Sequence, residues 1–348
     1  MRRSRVRVTF PAPPENPCGI RLQGFLSFYQ NYLMRAFWCL FGVYYIKKAF
    51  SGKFGKGLAG FFAVAITIAL GFIGAMVQSN SISSNIAGVF DSFNVDISSF
   101  TWIIGIVLAL LTGVIIIGGV KRIASVTEKL VPIMAILYII GGLLVLCVNI
   151  KNVPGAIGMI FKYAFVPNAI IGGGIGSALV KAIQKGAQRG LFSNEAGMGS
   201  TPHAHAQADV KDPHEQGVVA MVGVFIDTFV VLTLTALIVL CTLYASNGPF
   251  AGIVGNADTS FADQVGDISF TDANMVQKAF QMTFTTIFGG NVAVGNAVGS
   301  IFVAVCLFFF AFSTIISWNF FGKINFNYLF GKKATIAYSA IAIVCVFL

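Results

Sequence analysis

Five long apolar runs, separated by short polar intervals, set the pattern of the chain. They cover roughly Leu58–Val77, Trp102–Val120, Leu130–Ile150, Val218–Tyr244 and Val292–Ile316. Each offers about 20 or more mostly apolar residues, enough at about 1.5 Å per residue to cross a hydrocarbon core of about 30 Å. A sixth run, Thr335–Leu348, reaches the C-terminus after 14 residues. That is too short to span, so the chain is expected to stop inside a helix. A seventh segment, Asn168–Gln188, is less apolar and contains Gly172-Gly173-Gly174-Ile175-Gly176. So much glycine is poor for a continuous helix. The pattern predicts a broken helix there, with a half-helix starting near Ser177. Gly24–Ile46 is moderately apolar but carries Gln30, Asn31 and Arg35. It reads as an imperfect span or an interfacial helix.

Composition agrees with this pattern. Of 348 residues, 56% are hydrophobic and 10% charged, against roughly 45–50% and 25% in soluble domains. The mean hydropathy is +0.82. These values exclude an ordinary cytosolic enzyme, a nucleic-acid module and a disordered chain. Six cysteines are too sparse for a disulfide scaffold, and Cys147, Cys241, Cys306 and Cys345 lie in apolar runs, where cysteine acts as a small hydrophobe. The fold class is an all-α polytopic membrane protein, with the lipid bilayer as its partner and no nucleic acid. The 38 glycines and 34 phenylalanines suit closely packed membrane helices.

The net charge of +10 reads as topology, because Lys and Arg are retained on the cytoplasmic side. Basic intervals (Lys47, Lys48, Lys53 and Lys56; Lys121, Arg122 and Lys129; Lys323, Lys332 and Lys333) alternate with acidic ones (Asp91 and Asp96; Asp258, Asp263, Asp267 and Asp272). The alternation puts segments 47–56, 121–129, 189–216 and 320–333 in the cytoplasm. Lys151 and Lys162 depart mildly from it. Met1–Pro17 holds four arginines and four prolines. The prolines stand where a signal peptide needs its apolar core, so a signal peptide is not expected.

The polar residues inside this apolar chain carry the chemistry. The segment Arg189-Gly190-Leu191-Phe192-Ser193-Asn194-Glu195-Ala196-Gly197-Met198-Gly199-Ser200 is polar and Gly-rich between two membrane segments. It reads either as a capped helix–loop–helix or as a gate or coupling element built on Asn194 and Glu195. Gln78 and Asn80 sit in an apolar helix, where an amide without a partner costs several kcal/mol. They are expected to face the protein interior or a wet cavity, as helix–helix glue or as ligands. Asp227 stands about ten residues into an apolar run. Such a carboxylate belongs either to a structural network or to ion coupling. His203 and His205 are two residues apart and share no helix face. No metal spacing and no phosphate-binding loop are present, so neither a metal site nor ATP-driven transport is expected.

RGLFSNEAGMGS, followed by His203-Ala204-His205-Ala206 and Gly223-Val224-Phe225-Ile226-Asp227-Thr228, resembles the signature region of the alanine/glycine:cation symporter family. Met76-Val77-Gln78-Ser79-Asn80-Ser81-Ile82 resembles that family's polar-interrupted helix. Phe312-Ser313-Thr314-Ile315-Ile316-Ser317-Trp318 resembles its late-helix motif. The similarity covers about residues 42–348, a transmembrane transporter domain. Residues 1–41 form an atypical N-terminal segment unlike the family.

The resemblance implies a LeuT-type bundle of inverted repeats, here partial, with substrate and ion near the midplane beside discontinuous helices. It implies a secondary symporter of alanine or glycine, driven by sodium, in the plasma membrane, with no catalytic residue and no cofactor beyond the coupling ion. Gln78, Asn80 and Trp318 would then meet the substrate. Ser313 and Thr314 would supply oxygen ligands to sodium, a hard cation. Asn194, Glu195 and Asp227 would gate or couple. From the residues alone, Ser313 and Thr314 also suit local bonds to the preceding turn, and Trp318 suits an interfacial belt.

Family members are longer at both ends, and the family's early Gly-rich helix break has no counterpart here. The chain is therefore expected to be incomplete at both ends. A transport-inactive fragment is the main alternative function, and an intramembrane hydrolase a more distant one.

Overall fold

The computed structural model describes residues 43–50, 52–165, 184, 195, 198–206, 208, 210, 212–245, 248–250 and 274–348. Among these every regular element is helical. Helix α1 is Val43–Ala49. Helix α2 is Gly52–Asp91, π-helical through its middle at Thr67–Gly74. Next come α3, Thr101–Ile117, α4, Gly119–Val148, and α5, Val153–Phe165. A single short turn, α6, covers Pro202–His205. Helix α7 runs through three pieces, Pro213–Phe225, a π-helical Ile226–Leu232 and Thr233–Thr242. Then follow α8, Asn274–Ile287, α9, Val292–Phe330, and α10, Thr335–Phe347. Four of these (α2, α4, α7 and α9) are long and apolar enough to cross a membrane, and α3 and α5 are shorter apolar helices.

Two helices outrun their apolar runs by several turns at the C-terminal end. The run Leu58–Val77 continues as helix to Asp91, and Val292–Ile316 continues to Phe330. The polar residues that end each run do not break it, because they bond to their own helix. Ser81 Oγ donates to the Val77 carbonyl at 2.9 Å, and Asn85 Nδ2 to that of Ser81 at 3.1 Å. On α9, Asn319 Nδ2 donates to Ile315 O and Asn325 Nδ2 to Phe321 O, both at 2.9 Å. An amide that donates to the preceding turn in this way lowers the cost of standing in an apolar helix. The stretch 320–333, read from charge as a loop, therefore lies mostly in helix. So does 121–129, which forms the first turns of α4. The run Trp102–Val120 is cut instead at Gly119, whose φ of +74° turns the chain from α3 into α4. An L side chain is strained there. The Gly172–Gly176 break and residues 1–41 lie outside the described residues.

Among the described residues the helices enclose two large apolar cores and a smaller one, in which Val43 and Ile46 of α1 pack on Ala59 and Ala63 of α2. The first joins α2, α3, α10 and the C-terminal half of α9 around Leu70, Ile82, Leu108, Ile315, Ile316 and Val346. The second joins α4, α7, α8 and the N-terminal half of α9 around Tyr138, Ile238, Cys241, Phe280, Val303 and Cys306. Helix α9 is common to both.

Small residues set the approach of α2 to α9. A Cβ built on Gly71 would stand 3.3 Å from Gly322 Cα, and one on Gly74 would stand 2.5 Å from the Trp318 ring. As position rises on α2 it falls on α9, so the pair is antiparallel. Tyr338 of α10 reaches into this crossing and donates its hydroxyl to Asn319 O at 3.2 Å. Ser79 Oγ ties α2 to the far end of α10 through Val346 O at 2.6 Å. Close backbones and such bonds hold membrane helices together where burial from water offers little.

Candidate functional site

The loop ahead of α7 folds back onto α9. Glu195 adopts a left-handed backbone with φ +51°, an uncommon conformation for a residue with a side chain. Its carboxylate collects three donors. Ser200 Oγ donates to Oε2 at 2.5 Å and Thr201 Oγ1 to the same oxygen at 3.4 Å. The indole Nε1 of Trp318 donates to Oε1. Trp318 is only 3% exposed, which excludes a lipid-facing belt position. Its ring lies over Gly74, the last residue of the π-helical piece of α2. The carboxylate thus joins the loop, α9 and α2 at one point.

One turn further along the loop, His203 is 6% exposed. Its Nδ1 lies 2.9 Å from Ser200 O, and its Nε2 lies 3.1 Å from Asn325 Nδ2. The ring stacks on Phe62 of α2 with planes 3° apart and tilts against Phe321 of α9. Burial holds the imidazole below its ordinary pKa, against the bonds from Ser200, Asn325 and Gly199 and the nearby Glu195 charge. His205 is also held low by burial, and its Nδ1 faces Gln216 Nε2 at 2.6 Å. Among the described residues no cluster of His, Cys, Asp or Glu suits a metal.

The other site residues expected from sequence fall in three places. Gln78 is half-buried on α2. Gln78 stands one turn beyond Gly74 on α2, and Thr314 one turn before Trp318 on α9. The antiparallel run of the two helices therefore puts Gln78 and Thr314 on the same side of the Gly74–Trp318 contact. Thr314 Oγ1 and Ser313 Oγ both donate to Phe310 O at 2.9 Å, and Ser313 also lies 3.8 Å from Met134 Sδ. Both hydroxyls bond to the preceding turn, yet each oxygen keeps a lone pair. Asn80 is exposed, well round the helix from the stripe that faces α9. This departs from the interior placement expected of it, because a helix turns about 100° per residue. Asp227 is half-buried in the π-helical piece of α7. Asn194 lies outside the described residues.

The sequence assigns no site role to Ser200, Thr201, His203 or Asn325. Ser200 ends the Gly-rich segment, and His203 enters only as part of a motif and as an unlikely metal ligand. Asn325 offered one signal, an amide in an otherwise apolar and aromatic stretch. Only the fold shows that it meets His203.

The chain matches the model of the sodium:alanine symporter family over residues 42–348. It is 36% identical to the amino-acid carrier protein AlsT of Bacillus subtilis, covering 86% of this chain and 55% of that protein. It is 35% identical to the sodium/alanine symporter AgcS of Methanococcus maripaludis, covering 84% and 56%. It is 33% identical to a sodium/proton-dependent alanine carrier protein of a Bacillus species, covering 80% and 57%. The chain thus spans a little over half the length of these relatives. A match over most of the chain, with several apolar helices able to cross a bilayer, identifies it as a multi-pass membrane protein of the sodium:alanine symporter family.

Proposed function

We propose that the chain acts in sodium-driven symport of a small neutral amino acid, alanine or glycine, across the plasma membrane. The observation that carries this reading is the contact of Glu195 with Trp318. It brings together two polar motifs 123 residues apart in sequence, at the seam where α2 and α9 run closest. A secondary transporter needs such a junction, because alternating access requires one element to dock on another reversibly. Of the relatives named above, AgcS and the Bacillus alanine carrier have sodium and alanine in their names, and AlsT is named an amino-acid carrier.

In this reading the helices form part of a LeuT-type bundle spanning residues 42–348. Gln78 and Trp318 meet the substrate, the amide by hydrogen bonds and the indole as an apolar wall. Asn80 would act only from the other face of α2. The Ser313 and Thr314 oxygens face sodium. Glu195, with Asn194 beside it, acts as the gate. Asp227 couples the ion from α7, since a carboxylate in an apolar helix is costly unless it is used or paired. Sodium and amino acid then raise each other's affinity by the same factor.

The test is uptake of labelled alanine into proteoliposomes holding the full chain. Uptake driven by an inward sodium gradient and lost when choline replaces sodium is expected. Equal uptake in both salts overturns sodium coupling. No uptake above empty liposomes overturns the transport reading.

A further inference from the structure

We propose that His203 is a positioning residue that latches the 198–206 segment, and Glu195 bonded to its Ser200, to α9 while its ring is neutral and releases them when protonated. The inference rests on the reading of Glu195 as a gate and names what sets that gate. The Ser200 carbonyl can only accept, so Nδ1 carries the ring proton and donates to it. Nε2 therefore accepts from Asn325 Nδ2. The Asn325 amide is oriented by a second bond, from Nδ2 to the Phe321 carbonyl. The Ser200 carbonyl at Nδ1 and the Asn325 amide nitrogen at Nε2 together fit one neutral tautomer.

A proton added at Nε2 sets two donors face to face. The Asn325 amide could relieve this only by turning over. Its Oδ1 is buried and has no hydrogen-bond partner among the described residues, so an acceptor is at hand. Turning it toward the ring, however, breaks the bond to Phe321 O and brings two oxygens together. Release of the imidazolium to water is the other outcome, and it carries Ser200 and Glu195 with it, away from Trp318.

Among the described residues, Glu195 is the charged group whose field reaches the ring. The facing surfaces of α2 and α9 present Phe62, Phe321 and Asn325. Glu195 and the aromatic faces favour the cation, but burial outweighs them. The latched ring thus binds its proton less readily than a free histidine, whose ordinary value is 6.5. Below that pH the released state holds more protons, so acid shifts the balance toward release. Above it the latch is indifferent to pH.

The experiment is a distance measurement by pulsed electron paramagnetic resonance on the full chain with its native cysteines replaced. Nitroxides are placed at Ala206→Cys on the loop and Phe61→Cys on α2, both exposed positions. One short distance is expected at pH 8. At pH 5 a longer component should grow about threefold or more. His203→Gln keeps a donor and an acceptor but does not titrate, so its distances should be the same at both values. Asn325→Asp offers the imidazolium an acceptor and should keep the short distance at pH 5. A wild-type distance unchanged between pH 8 and 5, or a His203→Gln protein that shifts as the wild type does, overturns the latch. The readout needs no transport, so a protein without uptake but with the pH-dependent distance overturns the transport reading alone.

Discussion

The two π-helical segments among the described residues use the same backbone device in opposite surroundings. Thr67–Gly74 buries Thr67, Leu70, Gly71 and Gly74, and meets Trp318 and Tyr338. Ile226–Leu232 buries none of its residues, and Phe229 is 65% exposed. A π-turn adds one residue and re-aims the side chains beyond it. In α2 the re-aimed surface is small and is filled by an indole from α9. In α7 it holds Asp227 and Thr228, both half-buried and both engaged in interactions. The lesson is that the first segment positions the site by packing, while the second carries its own polar group.

That contrast can be broken by volume. Gly74→Leu and Gly322→Val would drive side chains into Trp318 and Gly71. They should cost at least about 1–3 kcal/mol each, read as a large fall in melting temperature of the solubilised protein. If either is tolerated, the close seam between α2 and α9 is not what holds Trp318.

Next in size is Glu195→Ala, which strips the acceptor from three donors at once. Hydrogen bonds to a charged group are worth about 1.5–3 kcal/mol. Alanine uptake should fall about tenfold or more, and Glu195→Gln should retain part of it, since its carbonyl still accepts from Trp318. A Glu195→Ala protein with normal uptake removes Glu195 from the mechanism.

Asp227→Asn sharpens the other side of the comparison. It should raise the sodium concentration for half-maximal uptake several-fold while changing stability by less than about 1 kcal/mol. A large loss of stability with unchanged sodium dependence would instead make Asp227 a structural group.

The smallest effect is expected at Gly223→Ala, three residues before the α7 π-segment. A Cβ there meets nothing within 4 Å, so the gain in helix propensity of about 0.5–1 kcal/mol should appear as a slightly raised melting temperature. A fall would mean that an unseen surface packs against this face.

Much of the fold was legible because lipid solubility is written in run length. The runs containing Gly71, Tyr138, Ile238 and Val303 all proved helical. Helix ends were less legible, because the apolar runs stop at Val77 and Ile316 while Ser81, Asn85, Asn319 and Asn325 carry the helices onward by bonding to their own backbone. The site was legible only by parts. Glu195 and Trp318 were both singled out by their motifs, but nothing local ties residue 195 to residue 318. That bond exists because Gly71, Gly74 and Gly322 let two helices touch and bring the loop within reach. His203 and Asn325 were hidden for the same reason: each looks ordinary until the other is beside it.

Helix α9 has a consequence for how any rocking motion could proceed. At 39 residues it is about 58 Å long, with no proline from end to end. One end is embedded among α4, α7 and α8, the other among α2, α3 and α10. It behaves as a single shaft running through two bearings, so neither bundle can swing without twisting or bending this rod. Trp318 and Asn325 sit on the stretch held by the second bearing, where torque from the first would arrive.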